Sequence, residues 1–180
     1  MSRVLILYYS AFGETEALAR AAAEGAREVP GTLVELKRVP ELVPEDLARR
    51  SGYRLDQPAP VATADDLSDY DAVLFGSPTR FGSMAAQMRS FLDRAGGLWS
   101  KGSLMGKIGS VFLSSTGYQL SPDAILASFH NTLLHHGMRI AAPPSGSPPA
   151  TPAQVLGPDE LQRAREHGRH LATLAKKRAA

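Results

Sequence analysis

Unbroken apolar runs alternate with segments of helical spacing along most of this chain. The run at 4–9, VLILYY, lacks the alternation of a strand with one solvated face, so it predicts a strand covered on both faces, as in a parallel sheet. The Ala- and Glu-rich segment 16–29, followed by Pro30-Gly31, predicts a helix after that strand. Four further strands are predicted at 32–39, 72–76, 108–113 and 138–142.

Apolar residues at helical spacing predict three more helices. The first is expected at 84–95, where Gly96-Gly97 would end it, and the second at 122–136, before Gly137. The third is an amphipathic helix at 159–178, close to the end of the chain. Helices therefore follow most of the predicted strands.

Two proline-rich segments fit neither pattern. The segment 40–71 is predicted to be an elaborated crossover with short helices near 45–50 and 65–67, and 143–158 is predicted to be irregular. Because strand, helix and strand in succession form a right-handed parallel crossover, the chain is predicted to be a doubly wound α/β domain. The predicted strand order is 2-1-3-4-5.

Composition narrows the function classes. The 180 residues, 43% of them hydrophobic, suffice for a single core, and the absence of cysteine excludes disulfides and thiolate chemistry. A formal net charge of +2 favours neither nucleic acid nor an anionic membrane as a partner. Since the run at 4–9 is far shorter than the roughly 20 residues of a membrane span, we expect a soluble, cytoplasmic protein.

The segment Ser10-Ala11-Phe12-Gly13-Glu14-Thr15 leads from the first strand into a helix. The free N–H groups and the dipole of a helix start favour an anion, and Ser10 and Thr15 add hydroxyl donors. No lysine follows the glycine, so the loop is not that of a nucleotide triphosphatase. Two interpretations stay open, a phosphomonoester site as for flavin mononucleotide (FMN) and a plain strand-to-helix turn.

Two other loops are predicted at the same edge of the sheet, where ligands of open parallel sheets bind. The loop 77–83 brings together a hydroxyl, a guanidinium and an aromatic ring, although an ordinary turn capped by Ser83 would have the same sequence. The loop 114–119 offers amides and hydroxyls suited to the polar edge of a flavin, but it is equally a simple Ser/Thr-rich loop.

Several isolated side chains are ambiguous. Trp99 could form a wall over a planar ligand or could simply be packed, and His135 and His136 are typical of a helix C-terminus. His167 and His170 are predicted to lie on a solvated helix face among arginines. No metal site is predicted.

Five strings resemble those of the WrbA-type NAD(P)H:quinone oxidoreductases, which have a flavodoxin-like fold. They occur in the same order at similar spacing and extend from about Ser2 to Ile140. The strings are VLILYYSAFGETEALA, LKRVPELVP, LDQPAP, YDAVLFGSPTRFGSMAAQMRSFLDRAGGLW and LLHHGM.

The resemblance implies a single flavodoxin-like, FMN-binding domain over 1–180. Phe12 and Trp99 would also contact the nicotinamide cofactor or the quinone, and Arg80 could stabilise reduced flavin. The residues implied to bind FMN are Ser10, Ala11, Phe12, Gly13, Glu14, Thr15, Thr79, Arg80, Phe81, Ser114, Ser115, Thr116, Gly117, Tyr118, Gln119 and His135.

The activity implied is a ping-pong reaction, in which NADH or NADPH reduces FMN at N5 and a quinone then takes two electrons from it. The family likeness also implies a homo-oligomer, a dimer or a tetramer. The chain departs from the family in several places. Glu14 stands where a histidine is frequent, the run after strand four contains one glycine, Gly117, where the family's is glycine-rich, and 143–158 replaces a longer segment that helps to build the neighbouring subunit's site. The alternative function is a non-enzymatic FMN electron carrier or FMN-binding regulatory module.

Overall fold

A computed structural model describes residues 1–114, 122–144 and 156–179. The strands are β1 (Ser2–Tyr8), β2 (Thr32–Arg38), β3 (Ala72–Arg80), β4 (Ser83–Met84), β5 (Ile108–Ser114) and β6 (Arg139–Ile140). The helices are α1 (Glu14–Arg27), α2 (Glu45–Arg50), α3 (Ala86–Arg94), α4 (Gly96–Ser100), α5 (Pro122–His135) and α6 (Pro158–Ala179), with a 3₁₀ helix at Ala64–Asp69. Within these ranges no helix combines the length and the apolar character needed to cross a bilayer.

The sheet has the order β2-β1-β3-β5-β6, and all four of these pairings are parallel. β4 lies off this path, as a two-residue strand antiparallel to the end of β3. The predicted α/β fold with order 2-1-3-4-5 is therefore confirmed, once the short β4 is left out of the numbering.

Successive residues of β1 point to opposite faces of the sheet, and both faces are covered. Leu5 and Leu7 lie in a cluster with residues of α3 and α5, whereas Val4 and Ile6 lie in a second cluster with residues of α1 and α6. All four side chains are fully buried. This double burial explains why the β1 sequence is apolar without alternation.

Helices α1 and α6 pack against each other unusually closely because small residues meet there. A Cβ atom added to Gly168 would lie 1.9 Å from the Ala22 carbonyl oxygen, and one added to Gly25 would lie 1.9 Å from the Arg165 carbonyl oxygen. Backbone thus touches backbone on both sides. No side chain fits at either glycine without moving the helices apart.

The segment after residue 76, predicted to be a loop, continues as strand. β3 extends to Arg80, and Phe81 and Gly82, with φ of 48° and 77°, form the two-residue turn into β4. Positive φ at both positions is the geometry of a tight hairpin turn. Ser83 accordingly pairs with Arg80 as a strand residue instead of capping an ordinary turn.

Two helix boundaries differ from prediction. The helix expected at 84–95 begins at Ala86, because Met84 pairs with Thr79 in the hairpin. Gly96-Gly97 do not stop the helical path; after Ala95 they open α4. Neither glycine has the positive φ of a helix C-terminus, and burial of Leu98 draws this extra turn against the core.

His167 is buried, with 6% exposure, so the prediction of a solvated face was wrong for this residue. The Ser110 hydroxyl donates to the Ala141 carbonyl oxygen at 2.7 Å, which leaves His167 Nε2–H to donate to Ser110 Oγ at 2.7 Å. Burial lowers the pKa of His167 to about 4. His170 is only half-buried. His167 belongs to the buried face of α6 because that helix lies flat on the sheet.

Candidate functional site

A pocket of about 130 Å³ opens at the carboxyl edge of the sheet, beyond β1, β3 and β5. It lies where the strand order reverses between β1 and β3, the position at which open α/β sheets bind ligands. Residues 115–121, which follow β5 directly, lie outside the described residues. The described residues that line the pocket are Ser10, Ala11, Phe12, Glu14, Thr15, Pro78, Thr79, Arg80 and Ser114.

The loop between β1 and α1 is held in a tight turn. Gly13 has φ of 104°, a left-handed conformation that side chains disfavour, and its N–H donates to the buried Ser10 Oγ at 3.0 Å. The loop therefore delivers the start of α1 to the pocket in a defined orientation. At the start of a helix, the unpaired N–H groups and the positive end of the dipole favour a bound anion.

Thr15 links this loop to β5. Its Oγ1 lies 2.6 Å from Ser114 Oγ, and both residues are buried. Two hydroxyls carry two protons, and their mutual hydrogen bond uses one. The other proton is available to a ligand in the pocket, so the pair can act as one hydrogen-bond donor.

Thr79 places a buried hydroxyl group at this pocket. Its Oγ1 is buried and has no hydrogen-bond partner among the described residues. An unpaired buried hydroxyl costs free energy, on the order of 1–3 kcal/mol, and such atoms are rare in folded proteins. Because Thr79 lines the pocket, a polar ligand bound there would satisfy it.

Aromatic and cationic side chains meet at the mouth of the pocket. The Arg80 guanidinium carbon lies 5.7 Å from the centre of the Phe12 ring, and Tyr53 packs edge-on against Phe12 at 5.2 Å between ring centres. Phe12 keeps 52% of its surface exposed. Phe81, at the hairpin turn, is fully exposed and does not line the pocket among the described residues.

The crossover after β2 folds back and clamps the first loop. Arg54 N–H donates to the Ala11 carbonyl at 2.8 Å, and Gln57 Nε2 donates to the Ser10 carbonyl at 2.7 Å. The Arg54 side chain covers Gly13 so closely that an added Cβ would lie 2.3 Å from its Nη1. Sequence reasoning missed Arg54 and Gln57 as site residues, and their place within LDQPAP and its flank was the only available signal.

A second network braces the pocket from the side of α3. Tyr9 OH donates to Glu41 at 2.6 Å, and Gln87 donates to the other Glu41 oxygen at 2.5 Å. Burial and the Glu41 carboxylate raise the pKa of Tyr9. Burial alone would raise the pKa of Glu41, but the hydrogen bonds from Tyr9 and Gln87, together with those from the Leu42 and Val43 N–H groups, outweigh it and lower that pKa. Through Glu41, the network connects Tyr9, which precedes Ser10, to Gln87 in the first turn of α3.

Besides Phe81, the predicted site residues His135 and Trp99 do not line the pocket among the described residues. His135 ends α5 and is exposed; two residues later the Gly137 carbonyl accepts from Gly106 N–H, at the amino edge of the sheet. Trp99, in α4, is 61% exposed and does not line the pocket among the described residues. Within one chain His135 is therefore at the opposite edge from the pocket. The predicted residues Ser115, Thr116, Gly117, Tyr118 and Gln119 lie outside the described residues.

The chain has recognisable relatives. A family model described as "NADPH-dependent FMN reductase" matches residues 2–147. The fold is similar to that of a flavodoxin, WrbA-like protein from Agrobacterium tumefaciens, with a TM-score of 0.74 and 22% identity over 98% of this chain and 99% of that one. It is also similar to oxidised flavodoxin 1 from Bacillus cereus, with a TM-score of 0.68 and 17% identity over 96% and 98% of the two chains.

Proposed function

The chain belongs to the NADPH-dependent FMN reductase family, and from this premise we propose that it is a WrbA-type, FMN-dependent NAD(P)H:quinone oxidoreductase. The observation that carries the proposal is that Thr79 Oγ1 is buried and has no hydrogen-bond partner among the described residues. It lies in a pocket that also contains the Thr15–Ser114 hydroxyl pair and Arg80. These are the donors that a flavin phosphate and a polar ring edge require.

FMN fits this donor set. Ser10, Thr15 and the first N–H groups of α1 would hold the phosphate, because a helix start favours an anion and hydroxyls complete its hydrogen bonds. Thr79 and Arg80 would face the remainder of the group. When bound, FMN supplies hydride chemistry that no side chain of this cysteine-free chain could perform.

The remaining pocket residues would position the flavin and the substrate ring and would stabilise charge on the flavin. The Arg80 guanidinium, held near the Phe12 ring, places positive charge where it favours an electron-rich flavin. The half-exposed Phe12 ring offers a flat apolar surface to a nicotinamide or quinone ring. Hydride transfer then depends on stacking geometry, which the Arg54 and Gln57 hydrogen bonds to the first loop would maintain.

An electron carrier without its own reductase activity is the second candidate. One observation favours it: Trp99, the expected wall over the substrate, does not line the pocket among the described residues of a single chain. A carrier needs no donor site beside the flavin. The two candidates therefore differ in whether NAD(P)H reduces the bound flavin.

The deciding experiment mixes FMN-loaded protein with NADH or NADPH in a stopped-flow instrument, then adds benzoquinone. The enzyme is expected to lose its visible flavin absorbance rapidly and regain it with the quinone. A flavin that stays oxidised with excess of either donor would identify a carrier. Protein that binds no FMN at all would contradict both candidates.

We also propose that the protein forms a homo-oligomer. The support is the exposure of three large apolar side chains, Trp99, Met105 and Leu134, which are 61%, 72% and 55% exposed. Contiguous patches of exposed apolar side chains commonly mark interfaces, and an oligomer would cover these three. Light scattering after gel filtration is expected to show a dimer or tetramer, and a monomer at high concentration would contradict it.

A further inference from the structure

The charged residues Glu14, Glu16, Arg54 and Arg80 lie at or beside the loop between β1 and α1, and two of these four form an ion pair with each other. Glu16 is buried, and Arg54 lies 3.6 Å from it, so these charges largely cancel. Arg80 and Glu14 both line the pocket. Neither makes an ion pair within 4 Å among the described residues.

The pocket is therefore close to neutral in sum, although its donor set suits an anion. Arg80 is the one cation and Glu14 the one anion among the described residues that line it. Glu14 is also the first residue of α1, where its carboxylate competes for the favourable end of the helix dipole. The Gly13 N–H is already donated to Ser10 Oγ and does not add to the available donors.

We propose that Glu14 weakens FMN binding by repelling the phosphate, so that FMN is held loosely and exchanges with free flavin. This inference rests on the proposed function, because it assumes that the phosphate lies at the start of α1. Its consequence is selectivity: the carboxylate opposes FMN, which carries a phosphate, but not riboflavin, which carries none. Glu14 is thus a specificity-determining residue of the pocket.

The size of the effect follows from Coulomb's law. One carboxylate and a phosphate of nearly two negative charges, a few ångströms apart at a partly solvated site, correspond to roughly tenfold in affinity. Riboflavin affinity should change by less than about twofold, since the charge–charge repulsion is absent.

The test is a fluorescence titration of flavin-free protein with FMN and, separately, with riboflavin. Glu14→Gln keeps the shape of the side chain and removes its charge. Glu45→Gln is the matched control, because Glu45 is an exposed carboxylate in the first turn of α2 and does not line the pocket among the described residues. Thermal melts without flavin establish that each variant is folded.

The expected result is roughly tenfold tighter FMN binding by Glu14→Gln, unchanged riboflavin binding, and no change for either flavin in Glu45→Gln. FMN would also stay with Glu14→Gln during gel filtration longer than with the wild type. Equal FMN affinity of wild type and Glu14→Gln overturns the inference, as does an equal gain for both flavins, which would indicate a packing effect. Absence of flavin binding in every variant would instead overturn the proposed function and the inference together.

Discussion

Two regions of this protein bury polar groups, and they differ in whether those groups have hydrogen-bond partners among the described residues. Beneath α6, His167 is buried with its Nε2 bonded to Ser110, and the helices around it touch backbone to backbone. At the carboxyl edge, the Thr79 hydroxyl is buried with no partner among the described residues. The first region is packed for stability, whereas the second carries a cost that a ligand would remove.

The largest expected effect is a loss of stability when a side chain is added where α1 and α6 touch. Gly168→Ala should lower the free energy of unfolding by about 3 kcal/mol, because its Cβ would lie 1.9 Å from the Ala22 carbonyl oxygen, despite the usual benefit of alanine in helices. Gly96→Ala is the matched control, since nothing lies within 4 Å of its added Cβ, and it should be neutral or stabilising. Urea unfolding of both variants measures this; similar stabilities would contradict close helix packing.

Acid should destabilise the same region through His167. Its pKa in the folded state, about 4, lies below the ordinary value of 6.5, so the stabilisation is complete above pH 6.5 and is lost as pH falls toward 4. The loss should amount to roughly 2 kcal/mol. Unfolding curves at pH 7 and pH 4.5 for wild type and His167→Gln isolate this contribution.

At the pocket, Ser10→Ala and Thr15→Val should each weaken FMN binding by about 1.5 kcal/mol or more, roughly tenfold, because each removes a hydroxyl beside the expected phosphate. Isothermal titration calorimetry with FMN provides the measurement. Ser68→Ala, a hydroxyl in the 3₁₀ helix outside the pocket-lining set, serves as the control. If both pocket variants bind FMN like the wild type, the phosphate is bound elsewhere.

The smallest expected effect is that of Thr79→Val, which should act in opposite directions on the stability of the flavin-free protein and on FMN binding. Thr79→Val keeps the shape of the side chain and removes a hydroxyl that has no partner in the described part of the chain, so flavin-free protein should be unchanged or more stable by about 1 kcal/mol. FMN binding should nevertheless weaken. Melting temperatures with and without FMN test both statements, and a loss of stability without FMN would mean that Thr79 already has a partner.

Much of the fold was predictable because strands that are buried on both faces of a parallel sheet have uninterrupted apolar sequences. The apolar runs of β1, β3 and β5 are visible without any tertiary knowledge, and the parallel order followed from strand, helix and strand in succession. The hairpin after Thr79 was not predictable. Its pairing depends on contacts between β3 and β4 that the sequence does not display.

The site was predictable only in part, because some of its residues are brought to it by packing and not by their order along the chain. Loops that follow strands at one edge must converge, so Ser10, Thr15, Thr79 and Ser114 could be grouped from their order in the chain. Arg54 and Gln57 reach the first loop from a long crossover whose path is set by packing, and no local pattern marks them. The placement of His135 at the opposite edge follows from the direction of α5, not from its sequence.

The α/β class, the strand order and three loops that could hold a flavin could all be predicted from the amino-acid sequence, because they depend on local periodicity and on the geometry of parallel sheets. Only the tertiary structure decided which polar groups have partners. It buried His167 against Ser110 and paired Arg54 with Glu16. Among the described residues, it left the Thr79 hydroxyl without a hydrogen-bond partner and Glu14 without an ion pair. Partnership is a relation between distant residues, and it exists only once the chain has folded.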